Sequence, residues 1–109
     1  MSAYFVCTVR VDDPETYKLY TAETPALIAK HGGRFLVRGG AVETLEGPVF
    51  SDRLVVLEFP SMVAAKAFYN SPEYQAVMVH RHASSDSTFM LVEGAPDGGV
   101  PDDNVTKSE

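Results

Sequence analysis

Glu58 is the side chain in this sequence that most clearly offers acid–base chemistry. It follows an apolar run at residues 54–57 in a predicted strand, and a carboxylate there is costly to bury without a partner. In a pocket its pKa would rise, and it would act as a base or a polar anchor. The alternative is a structural ion pair, or a strand end that reaches solvent near Pro60.

Arg38 is the natural partner of Glu58. It precedes two consecutive glycines, where the backbone is expected to bend and leave room for a ligand. Strict alternation along the strand places Arg38 on the same face as Arg34 and opposite Phe35. Either Arg38 and Glu58 form a salt bridge that holds the fold together, or Arg38 binds the planar group of a small anion.

Three further side chains complete the candidate site. His31 closes the first predicted helix, as a cation that complements the helix dipole or as a general acid or base. Tyr69 and Tyr74 flank a Ser-Pro junction and either belong to the core or close a pocket. We therefore predict two catalytic residues, Glu58 and His31, and three substrate-binding residues, Arg38, Tyr69 and Tyr74.

The sequence predicts neither a metal site nor a nucleotide site. His80 and His82 are two residues apart and do not share a helix face, and with Arg81 they complement the dipole at a helix end. Cys7, the single cysteine, is expected to be an inert core residue. Phosphate-loop, dinucleotide-binding and nucleophile-elbow motifs are absent from the sequence. We expect no cofactor, with haem held by one histidine as the alternative.

The elements that must position these residues alternate along the chain. We predict strands at residues 3–11, 34–38 continuing over 41–46, 53–59 and 88–93, and helices at about 14–30, 61–69 and 72–82. Asp or Ser caps and first-turn prolines mark helix starts, and Pro25 is expected to kink or divide the first helix. The order β-α-β-β-α-β predicts an α+β, ferredoxin-like fold with an antiparallel four-stranded sheet.

The predicted strands are apolar on both faces. An antiparallel sheet with one face in water alternates apolar and polar residues, but the segments 35–37, 54–57 and 89–92 do not. Helices cover one face only. We therefore predict a homodimer in which the second face of each sheet packs against a second copy of the chain.

Composition limits the classes of protein to consider. The 109 residues are 45% apolar and 22% charged, as in one globular domain. The net charge of −6 disfavours nucleic acid and anionic membranes as partners. The single cysteine and an N-terminus without a signal-peptide pattern predict a cytoplasmic protein. Residues 95–109, rich in Pro, Gly and acids, are predicted to be a disordered acidic tail after a domain at 1–94.

Three segments carry a resemblance to a known family. Residues 31–40 (HGGRFLVRGG), 52–61 (DRLVVLEFPS) and 68–75 (FYNSPEYQ) resemble the family named domain of unknown function 1330, over residues 3–94. The resemblance implies a ferredoxin-like fold in the dimeric α+β barrel group. That group also includes cofactor-free monooxygenases, small isomerases, dehalogenase-like enzymes and haem-handling proteins. One departure is Tyr69, where the family often has Trp.

The residues and the resemblance together predict a class of function. We expect a small homodimer that binds or converts a small anionic or carbonyl-bearing metabolite without a metal or nucleotide. If it is an enzyme, proton transfer fits best. Two alternatives stay open: a non-enzymatic structural or interaction module, and a cofactor-free monooxygenase or haem-handling protein.

Overall fold

The computed structural model describes residues 1–96, which form four strands and three helices. In chain order these are β1 (Ala3–Val11), α1 (Pro14–Lys30), β2 (Arg34–Arg38), β3 (Arg53–Phe59), α2 (Met62–Tyr69), α3 (Pro72–Ser84) and β4 (Ser85–Glu93). The strands pair antiparallel in the order β2-β3-β1-β4. The predicted ferredoxin-like α+β fold is confirmed. From residue 97 onward, the predicted acidic tail lies outside the described residues.

Local capping explains where the helices begin. The side chains of Asp13, Ser61 and Ser71 each accept a hydrogen bond from the backbone N–H three residues later, at the first turns of α1, α2 and α3. Such caps satisfy N–H groups that have no partner within the helix. α1 continues through Pro25, so this proline does not divide the helix.

Two glycines end α1 and turn the chain into β2. Gly32 adopts the left-handed conformation with φ of 80°. The N–H of Gly33 donates to the carbonyl of Ile28 at 2.9 Å, and the N–H of Gly32 donates to that of Ala29 at 3.0 Å. This pair of bonds is the Schellman motif, and His31 occupies the cap position before it.

Two connections differ from the predicted ones. Residues 41–46 do not continue β2 but belong to an irregular loop. Gly39, with φ of 69°, donates its N–H to Leu54 at 2.8 Å and turns the chain away from the sheet. The start predicted for the last strand, residue 88, is also wrong, because α3 passes directly into β4 at Ser85.

The sheet has a helix side and an open face. On the helix side the odd-numbered residues of β1 are buried against the aromatic core: Ala3, Phe5, Cys7 and Val9. The alternate residues form the open face, which no helix within residues 1–96 covers. On β4 that face carries Met90 and Val92, which are 52% and 50% exposed. None of the helices in the described chain is long and apolar enough to cross a membrane.

Candidate functional site

A β-bulge in β2 determines on which side of the sheet Arg38 lies. Phe35 pairs with Leu57 of β3 and Arg38 pairs with Val55, so Leu36 is an extra residue in β2. Both partners on β3 face the helices. Arg38 therefore lies on the same side as Phe35, with its guanidinium carbon 4.2 Å from the centre of that ring. The strict alternation predicted for β2 is wrong beyond the bulge.

Glu58 lies on the open face, and its partners do not include Arg38, which was predicted to pair with it. Its carboxylate accepts hydrogen bonds from Arg34 Nε at 2.8 Å and from the Tyr4 hydroxyl at 2.9 Å. These two bonds lower the pKa of Glu58, whereas a base in a pocket would need a raised pKa. The Arg38–Glu58 pair is not formed, because the bulge sends Arg38 to the opposite side.

A small cavity lies between α1 and the helix side of the sheet. Its volume is about 30 Å³, enough for roughly two water molecules or the two oxygens of one carboxylate. Apolar residues line most of it, together with two arginines and hydroxyl-bearing side chains of α1. The lining residues are Cys7, Val9, Tyr17, Tyr20, Thr21, Thr24, Ile28, Phe35, Arg38, Arg53, Val55, Leu57 and Phe89. Residues 1–96 contribute no Asp, Glu or His to this lining.

Arg53, at the start of β3, is the second cation of the cavity. Its Nε is buried and finds no hydrogen-bond partner within residues 1–96. The backbone of Gly39 lies directly against its guanidinium, and a Cβ at Gly39 would collide with it. Gly39 therefore both ends β2 and makes room for Arg53.

Buried tyrosines supply neutral hydroxyl groups beside these cations. The hydroxyls of Tyr20 and Tyr74 lie 2.6 Å apart, and Tyr74 is fully buried behind the cavity wall. Burial raises the pKa of both, as it does that of Tyr17. Burial also raises the pKa of the Cys7 thiol to about 12. All four groups are therefore protonated at neutral pH.

Arg81 of α3 lies behind the cavity wall and is only 3% exposed. Its guanidinium carbon is 3.8 Å from the centre of the Phe89 ring and 5.7 Å from that of Tyr20. Nη1 donates to Ser87 Oγ at 2.6 Å, but Nε and Nη2 meet no acceptor in the described chain. A buried guanidinium without a carboxylate is unusual, because desolvation of the charge is costly.

A separate groove opens at the edge strand β4. Its volume is about 270 Å³, and it is lined by Phe5, Lys66, Tyr69, Asn70, Phe89 and Leu91. The ring of Tyr69 stacks on Phe5 with centroids 5.9 Å apart. Tyr69 therefore belongs to this groove and not to the cavity.

His31 has a structural environment at the end of α1. Its Nδ1 donates to the carbonyl of Leu27 at 2.9 Å, and its ring packs edge-on against Phe68. It lines neither the cavity nor the groove. Within residues 1–96, no three His, Cys, Asp or Glu side chains come together as a ligand set for a metal ion.

The structure brings together only part of the predicted site. Arg38 lines the cavity and Tyr74 reaches it through Tyr20, whereas Tyr69, Glu58 and His31 lie elsewhere. Three residues of the lining, Arg53, Tyr17 and Tyr20, were not predicted from the sequence, and neither was the burial of Arg81 behind the cavity wall. Cations and neutral hydroxyls without a nearby proton acceptor suit the binding of an anion and the stabilisation of negative charge.

Comparison with solved structures identifies the same architecture in other proteins. RPA0582, of unknown function, from Rhodopseudomonas palustris has a TM-score of 0.73 at 21% identity, covering 88% of this chain and 84% of that chain. SnoaB, a cofactor-independent oxygenase from Streptomyces nogalater, has a TM-score of 0.60 at 20% identity, covering 91% and 98%. A dimeric protein of unknown function and ferredoxin-like fold from Bacteroides fragilis has a TM-score of 0.50 at 13% identity, covering 85% and 96%. At these identities the likeness establishes a shared fold.

Sequence comparison gives the family. The chain matches no curated protein. The sequence profile of the domain of unknown function named DUF1330 matches residues 2–95, the whole of the sheet and its helices. This chain is a member of the DUF1330 family.

Proposed function

We propose that this protein binds a small organic anion, a carboxylate or an enolate, in the cavity between α1 and the sheet. One observation carries the proposal: Arg38 and Arg53 line a cavity to which residues 1–96 contribute no acidic side chain. Guanidinium groups bind planar anions through paired, charge-assisted hydrogen bonds, and Arg53, although not the exposed Arg38, is partly shielded from water. The hydroxyl of Tyr20, paired with Tyr74, extends the row of hydrogen-bond donors.

The proposal keeps Arg38 and Tyr74 from the predicted site and leaves out Glu58 and His31. Those two side chains do not line the cavity, and the pKa of Glu58 is lowered by its partners on the open face. In any reaction at this site, the protein would hold the anion and stabilise negative charge as it develops. The proton acceptor would be a group of the substrate or a water molecule.

We also infer that the protein is a homodimer, with the open faces of two sheets packed together. The apolar residues of that face support this assembly, since Met90 and Val92 are about half exposed. The Bacteroides fragilis protein of the same fold is dimeric. The cytoplasmic location stays a prediction from the sequence.

A second candidate function is oxygenation of the bound anion by O₂. The shared fold of SnoaB, a cofactor-independent oxygenase, favours it. An enolate is electron-rich at carbon: it would give two electrons to O₂ as a C–O bond forms, so that the carbon is oxidised and O₂ is reduced to a peroxide, which water protonates. Oxygen consumption that depends on the bound ligand and on Arg38 would distinguish this reaction from binding alone.

A thermal-shift screen against small carboxylates, keto acids, phenols and haem tests the proposal. A ligand at 100 times its Kd adds about 2.7 kcal/mol to the free energy of unfolding. We expect a carboxylate or keto acid to raise the Tm, and Arg38→Ala to abolish that rise. Arg34→Ala removes an arginine from the open face of the same strand and is the matched control. Equal loss in both variants, or no shift with any compound, would contradict the proposal.

A further inference from the structure

We propose that the Phe89 ring is a movable partition between the cavity and the groove, and that the ligand is an amphipathic carboxylate spanning both. This inference rests on the proposed function and adds the class of ligand. The carboxylate would lie in the arginine cavity, and the apolar body would lie in the groove beside β4.

The sizes of the two spaces suit a ligand divided in this way. The cavity, at about 30 Å³, holds a headgroup and nothing larger. The groove, at about 270 Å³, exceeds the roughly 150 Å³ in which an apolar cavity takes up benzene. It has room for one aromatic ring or a short alkyl chain.

Phe89 is the boundary between these spaces. It is the residue that lines both of them, and it is half-buried in β4. On the groove side its neighbours include Phe5, with ring centroids 6.3 Å apart. On the cavity side it pairs with Cys7 across the β1–β4 ladder. A rotation of this one side chain would join the two spaces.

The chemistry of the groove suits an apolar body. Phe5, Tyr69 and Leu91 provide aromatic and aliphatic surface, and Lys66 and Asn70 place polar groups at the exposed rim. Burial of apolar surface contributes about 25 cal/mol per Å². The body of an amphipathic ligand would therefore add to the affinity of its headgroup.

Movement of the Phe89 ring would not leave the buried charge of Arg81 without a partner. In this structure its guanidinium stacks on the Phe89 ring at 3.8 Å, a favourable cation–π contact. Its Nε and Nη2 meet no acceptor among residues 1–96. When the ring turns aside, these two N–H groups become available to the carboxylate. The charge-assisted hydrogen bonds then replace the cation–π contact.

Calorimetric titration with acetate, butyrate, hexanoate and phenylacetate tests the inference. We expect Phe89→Ala to bind hexanoate and phenylacetate about tenfold more tightly than the wild type does, relative to acetate, a change of roughly 1.4 kcal/mol. Leu91→Ala is the matched control, because it enlarges the groove without touching the cavity. It should leave the preference for chain length within about twofold of wild type, or roughly 0.4 kcal/mol.

Further variants separate the partition from the anion site. Adding Arg81→Met to Phe89→Ala should weaken the binding of acetate and hexanoate equally and keep the tenfold preference, because both carboxylates lose the N–H groups uncovered by the ring. If Phe89→Ala fails to fold, Phe89→Leu removes less volume and should show the same direction of change. Failure of every carboxylate to bind wild type overturns both proposals. Arg38-dependent binding of acetate, with the same chain-length preference in Phe89→Ala and Leu91→Ala, overturns the partition alone.

Discussion

Arginine and tyrosine side chains occur on both faces of the sheet, but they have different partners there. On the open face, Arg34 and Tyr4 both donate to one carboxylate, that of Glu58. On the helix side, Arg53 and Arg81 lie near tyrosine hydroxyls but meet no carboxylate among residues 1–96. An arginine whose charge is matched within the fold is structural. An arginine that lies beside a cavity and has no carboxylate partner can bind an anionic ligand.

The largest expected effect concerns the open face. Val56→Glu places a carboxylate in the middle of this half-buried, apolar surface, where two packed sheets would leave it without a partner. We expect complete conversion of the dimer to monomer, measured by light scattering during gel filtration. Val63→Glu, on α2 where the side chain is 79% exposed, should leave the mass unchanged. If the wild type is itself a monomer in solution, the proposal that this face forms a dimer interface is wrong.

The next effect concerns the helix side. Gly39→Ala forces a Cβ into the left-handed region and against the Arg53 guanidinium. We expect a loss of about 1–3 kcal/mol in the free energy of unfolding and loss of anion binding, measured by denaturant titration and calorimetry. At Gly40 a Cβ meets no atom of the described chain within 4 Å, so Gly40→Ala is the control. If Gly39→Ala binds the anion as tightly as the wild type does, Arg53 is not part of the anion site.

The smallest effect is the pH dependence of the matched charges. The pKa of Glu58 is lowered from its ordinary value of 4.5 by Arg34 and then Tyr4. Its pairing therefore stabilises the fold above about pH 4.5, and this contribution is lost as pH falls through the lowered folded-state pKa. Glu58→Gln should show a shallower acid-side fall in Tm than wild type. Glu43→Gln on the exposed loop is the control, and an identical fall in all three proteins would contradict the prediction.

The sequence predicted the fold far better than the site, for a physical reason. Caps, turn glycines and apolar strands act over a few neighbouring residues, so the caps Asp13 and Ser71 could be assigned from the sequence. Ser61, predicted as the first residue of the second helix, is its N-cap. The position of Arg38 depends on register instead. One extra residue at Leu36 reverses every side chain beyond it, and nothing in the local composition marks that residue.

Burial of Arg81 could have been found from spacing. Tyr74, Val77, Arg81 and Ser84 are the buried residues of α3, and their spacing of three, four and three marks one helix face. The prediction that Arg81 complements the helix dipole considered only its distance from the helix end. The side of the helix on which it lies decides its environment.

The bulge at Leu36 also affects how this strand can evolve. It divides β2 into a first part, whose Arg34 serves the open face, and a second part, whose Arg38 serves the cavity. Deletion of Leu36 would remove the bulge and leave Arg38 on the cavity side, because Val37 and Arg38 already pair with consecutive residues of β3, Val56 and Val55. The strand can therefore lose this residue and keep Arg38 at the cavity, whereas pairing of Leu36 in a regular ladder would carry Arg38 to the open face.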